Sequence, residues 1–174
     1  MGRLCFALGA ASQWTQALNL TILGVLVQTS ELCCLIDDDA APEQAAASHV
    51  EEVSMCVFQP AGPGSRNPSM DLQLASADGQ GFVKLWKCDG GRLLHTLQRH
   101  KTKVYTLAWS PDGSMLAAGC VQGKLVIWDV HNGTEVKQYQ GPRDANFFEL
   151  SWNTDGLRLA GAAKDGIRIW DVRQ

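Results

Sequence analysis

The stretch "VYTLAWSPDGSMLAAGCVQGKLVIWDV", Val104 to Val130, decides the fold. It holds two short apolar runs around a Ser-Pro-Asp-Gly turn, then a third run that ends in Trp-Asp. Its last strand, "KLVIW", has counterparts in "FVKLW" and "GIRIW", each alternating at period two as a strand with one buried face does. The closing tryptophans, Trp86, Trp128 and Trp170, recur at intervals of 42 residues.

Upstream of each tryptophan lies another apolar strand: "MCVFQP", "TLAWSP" and "ELSWNT". Between them sit "LQLASA", "SMLAAG" and "LRLAGA". Pro and Gly in "SPDG" (Ser110–Gly113) and Gly in "NTDG" (Asn153–Gly156) supply tight hairpin turns. The first unit instead carries "QPAGPGSRNPSMD", an expanded and exposed loop. "RLLHTLQRH" and "TEVKQYQGP" read as outer strands, with Asp129 and Asp171 opening the turn after the tryptophan. A repeat of this length and pattern predicts propeller blades. Small antiparallel sheets cannot cover both faces alone, and stacking them around an axis does. Burying ~150–250 Å² per Trp at ~25 cal/mol/Å² contributes on the order of 4–6 kcal/mol gross, before entropy.

Composition sets the outer bounds. The chain has 174 residues, 45% of them hydrophobic, and a formal net charge of -3, so bulk charge does not point to nucleic acid. Lys84, Lys87, Arg92, Arg99, Lys101 and Lys103 face only Asp89 in their stretch. They read either as solvated loop and strand-edge charges or as a docking patch for an acidic partner. The six cysteines form no C-x-x-C pair and fit core thiols of a reducing compartment. The sequons at Asn19 and Asn132 read as coincidental. "LNLTILGVLV" (Leu18–Val27) is too short to span a bilayer, and "MGRLCFALGAAS" only weakly mimics a signal peptide. No membrane association is expected.

From His49 to Gln174 the order "RH…VYTLAWSPDG…LAAG…VIWD" resembles the WD-repeat family. Within that family the chain is similar to the C-terminal repeats of transducin beta-like (F-box-like/WD repeat-containing) corepressor subunits. The segments "GPGSRNPSM", "LASADGQGFVKLW", "LLHTLQRHKTKVYTLAWSPDG", "IWDVHNGTEVKQYQG" and "FFELSWNTDG" carry this likeness, in order. The expected fold is all-β: a partial β-propeller of about three WD-repeat blades, with a poorly defined N-terminal segment. The expected division is residues 1–47, disordered or mispredicted, and a WD-repeat region over 48–174, with blades at about 49–89, 100–129 and 141–171. "SELCCLID" (Ser30–Asp37) is a candidate outer strand, and "DDDAAPEQAAAS" reads as an acidic linker. Three blades rarely close a ring, so a truncated or mispredicted product is expected, marginal in isolation unless it associates.

The resemblance also implies a buried chain of Trp, Ser/Thr, His and turn Asp in each blade. Matched to it, the second unit offers Trp128, Thr106 and His100, with Gln122 at the Asp place. The first offers Trp86 and His49, with Met55 at the Ser/Thr place and Gln80 at the Asp place. The third offers Trp170 and Asp165, with Glu149 at the Ser/Thr place. Only partial networks are therefore expected.

No phosphate loop, nucleophile elbow or metal spacing among His49, His95, His100 and His131 appears. No catalytic residue, cofactor or metal is expected. The resemblance implies a non-catalytic scaffold in a histone deacetylase corepressor complex regulating transcription. Its partners would be corepressor, histone deacetylase and histone tails, its place the nucleus, or otherwise the cytoplasm. Contact residues are expected at Tyr105, Asn146, Phe147 and Phe148, with one of the two phenylalanines in the core. The competing readings are a generic WD-repeat adaptor, such as a ubiquitin-ligase substrate receptor, and a fragment without function.

Overall fold

A computed structural model describes residues 49–61, 65, 73–88, 91–142 and 145–172. The segment 1–47, including the strand expected at "SELCCLID", lies outside the described residues, as does most of the expanded loop. Among the described residues eleven strands form three antiparallel sheets. The first holds β1 (Val53–Phe58), β2 (Gln73–Asp78), β3 (Phe82–Lys87) and β4 (Arg92–Gln98). The second holds β5 (Val104–Trp109), β6 (Met115–Cys120), β7 (Lys124–Asp129) and β8 (Thr134–Gln140). The third holds β9 (Phe147–Trp152), β10 (Arg158–Ala163) and β11 (Gly166–Asp171). The architecture is a partial β-propeller, and no helix occurs among the described residues.

The hairpins follow from their turn residues. Gly113 N–H bonds the Ser110 carbonyl at 2.8 Å, and Gly156 N–H bonds that of Asn153 at 3.0 Å. Both glycines have positive φ, which a side chain would strain. The expected outer strands are β4 and β8, and each pairs with the strand carrying Trp86 or Trp128.

Two apolar layers join the sheets. Ala75, Ala77, Val83 and Leu85 of the first pack against Leu107, Trp109, Leu116 and Trp128 of the second. Ala117, Leu125 and Ile127 of the second pack against Phe147, Leu150 and Leu159 of the third. The inner strands β1, β5 and β9 lie beside one another and are tied by indoles. Trp109 Nε1 donates to the Val57 carbonyl at 3.1 Å, and Trp152 Nε1 donates to that of Ala108 at 3.0 Å. Thus a second tryptophan series, not the period-42 series, bonds one sheet's backbone to the next.

The buried polar network differs from the expectation. Strand register makes the difference: Trp86, Trp128 and Trp170 lie opposite Leu74, Leu116 and Leu159. Two and four residues beyond these leucines come Ser76 and Asp78, then Ala118 and Cys120, then Gly161 and Ala163. In the first sheet the network is complete. Trp86 Nε1 donates to Ser76 Oγ at 2.8 Å, and Ser76 Oγ lies 2.6 Å from His49 Nε2. His49 Nδ1 lies 2.7 Å from Asp78, whose other oxygen accepts the Gln80 and Phe82 N–H groups. Ser76 and Asp78, not Met55 and Gln80, are therefore the network members. In the second sheet Thr106 does not join Trp128 and His100. Its hydroxyl accepts the Leu150 N–H at 3.1 Å, another tie between sheets. In the third sheet Asp165 is exposed and pairs with Arg168 instead of entering the interior.

Candidate functional site

The strand period decides which side chains reach the surface. Tyr105 and Phe148 occupy matching places on β5 and β9, each four residues before the strand's closing tryptophan. Both point away from the layers: Tyr105 is 41% exposed and Phe148 56%. Their ring centroids lie 6.5 Å apart. Lys103 Nζ sits 5.6 Å from the Tyr105 centroid and 3.7 Å from a Glu52 carboxylate oxygen. Phe147 faces the other way, is 1% exposed and packs edge-on against Trp170, so it does not serve as a surface contact. Between these strands Asn146 holds a turn: its Oδ1 accepts the N–H of Gln122, which has a φ of 80°. The four expected contact residues therefore separate into an exposed aromatic pair, a polar brace and a core ring.

The repeat residues have structural roles. Asp129 Oδ1 accepts the His131 N–H at 2.9 Å, closing the turn to β8. The Asp171 carbonyl accepts the Tyr139 hydroxyl at 3.3 Å. His100 is 3% exposed, lies edge-on to Trp128 at 5.7 Å, and has no hydrogen-bond partner at either ring nitrogen among the described residues. Burial, then the Lys124 charge, pushes its pKa down to about 4. Burial also lowers the His49 pKa, against the pull of Asp78.

Two features escaped the sequence reading. The Trp109–Trp152 series was present as a 43-residue spacing inside strands read only as apolar. The second feature is a groove of 690 Å³ lined by Arg99, His100, Lys101, Lys124 and Glu135, among others. Part of the basic stretch meets there, but Lys124 comes from the next hairpin. Lys84 lies elsewhere, buried over the Trp86 ring. Lys87 and Arg92 sit at the other end of β4 from Arg99. Among the described residues no group of three or more His, Cys, Asp or Glu side chains is placed to hold a metal ion.

Residues 65–148 match the family model described as the anaphase-promoting complex subunit 4 WD40 domain. The chain is 37% identical over 113 residues to WD40 repeat-containing protein HOS15 of Arabidopsis thaliana, covering 64% of this chain and 18% of that protein. It is 37% identical over 100 residues to F-box-like/WD repeat-containing protein TBL1Y of Homo sapiens, covering 58% of this chain and 19% of that protein. It is 34% identical over 110 residues to Coronin-7 of Rattus norvegicus, covering 58% and 12%. The chain thus spans less than a fifth of the length of each. With its three stacked sheets and these matches, the chain resembles the WD-repeat family and is similar to the F-box-like/WD repeat-containing proteins.

Proposed function

We propose that the chain is a non-catalytic protein-interaction scaffold, and that it works as a subunit of a nuclear histone deacetylase corepressor assembly regulating transcription. The observation that carries the scaffold reading is the exposed Tyr105–Phe148 pair, set on adjacent inner strands and flanked by Lys103. Rigid aromatics beside a cation are what protein interfaces use as anchors. The finer reading rests on the resemblance to transducin beta-like corepressor subunits, with corepressor, histone deacetylase and histone tails as partners. Affinity capture from nuclear extract tests it. The full chain is expected to retain deacetylase and corepressor, and Tyr105→Ala with Phe148→Ala to lose them at unchanged folding. Capture that brings down neither partner would overturn the corepressor role. Recovery of ubiquitin-ligase adaptor subunits instead would establish the alternative, a reading favoured by the F-box-like name of the similar human protein.

A further inference from the structure

We propose that the groove at the end of β4, between its following loop and the strands β7 and β8, binds acidic peptide segments through Arg99, Lys101 and Lys124. Three cations and one carboxylate line it, in a chain whose net charge is -3. The cations are set in place. Lys124 Nζ donates to the Arg99 carbonyl at 2.6 Å, fixing the loop to β7. Arg99 Nε meets the single carboxylate, Glu135, at 2.9 Å, and its side chain remains 60% exposed. Lys101 is exposed and forms no ion pair among the described residues.

His100 supplies a second, independent observation. It lines the same groove, is almost wholly buried, and keeps both ring nitrogens unpartnered. In the first sheet the matching histidine is satisfied by Ser76 and Asp78; here Ala118 and Cys120 stand in their places. His100 therefore carries polar capacity that the fold leaves unmet, which costs stability.

The groove favours a peptide over a nucleic acid. Its cations occupy one strand end and do not form a continuous track along which a phosphate backbone could run. Pairing at exposed cations is salt-sensitive and modest per contact. This surface is separate from the aromatic pair, so purified components test it independently of the corepressor role.

The test titrates the full chain into a fluorescein-labelled deca-glutamate peptide and follows anisotropy. Binding is expected to weaken about tenfold or more for Lys101→Glu and for Lys124→Glu, charge reversals at the contact. It is expected to weaken likewise as salt rises from about 0.05 to about 0.5 M. Lys87→Glu, at the end of β3 opposite Arg92 and so beside the far end of β4, leaves binding unchanged. The proposal is overturned if Lys87→Glu and Lys101→Glu weaken binding equally, if no salt-sensitive binding occurs, or if an oligouridylate binds more tightly than the peptide. Because Lys101 is exposed and unpaired, its reversal preserves the fold.

Discussion

Ser76 shows how much one hydroxyl can organise. It accepts the Trp86 indole N–H and bonds His49, which in turn meets Asp78. Removing it strands two buried polar groups at once. Ser76→Ala is expected to destabilise the first sheet by about 1–3 kcal/mol, read as a lower urea midpoint at unchanged slope; an unchanged midpoint contradicts the network. His100 makes the opposite case, a buried imidazole with no partner. Its pKa falls from 6.5 to about 4. The unfolded chain therefore takes up a proton below about pH 6.5 that the folded chain refuses until about pH 4. Stability present above that window is lost as pH falls through it, on the order of 3 kcal/mol in all. Urea midpoints measured between about pH 7.5 and 4.5 are expected to drop less steeply in His100→Leu than in the wild type. The shift at His49 has the same direction and remains in the variant. Identical slopes would contradict this assignment.

Between elements, the inner strands are joined by indole-to-carbonyl bonds. Trp109→Phe and Trp152→Phe keep most of the ring and remove the donor, leaving the Val57 or Ala108 carbonyl without it. Each is expected to cost about 1–2 kcal/mol and to speed amide exchange in β1 and β5, or in β5 and β9. Exchange confined to the substituted strand would contradict the tie. The elements themselves were legible in the sequence, because alternation, Gly-closed turns and the 42-residue tryptophan interval are local signals. The network was not. A strand's residues alternate between faces, so naming the polar partner of Trp86 requires cross-strand register, and register placed Ser76 where linear matching chose Met55. The aromatic site was half legible: two adjacent phenylalanines were visible, but only pairing separates exposed Phe148 from buried Phe147. The groove was legible as charge and not as geometry, since Lys124 reaches the loop at Arg99 only after the hairpin forms.

Across the whole molecule, each sheet presents one face to its successor. Val83 and Leu85 on β3, and Leu125 and Ile127 on β7, are fully buried by the next sheet. The matching pair on β11, Ile167 and Ile169, is 78% and 69% exposed among the described residues. Such a face binds apolar probes. Ile167→Lys with Ile169→Lys is expected to reduce anilinonaphthalene sulfonate fluorescence at least about twofold with little loss of stability; undiminished fluorescence would place the apolar surface elsewhere. Three separate leaflets thus stand side by side, joined at their inner strands. Nuclear Overhauser contacts from the Trp109 and Trp152 indole protons test it most directly. Slowly exchanging indole protons with contacts to Val57 and Ala108 are expected, with no backbone ladder between β4 and β5. A β4–β5 ladder, with the indole contacts absent, would mean one continuous sheet and would contradict it.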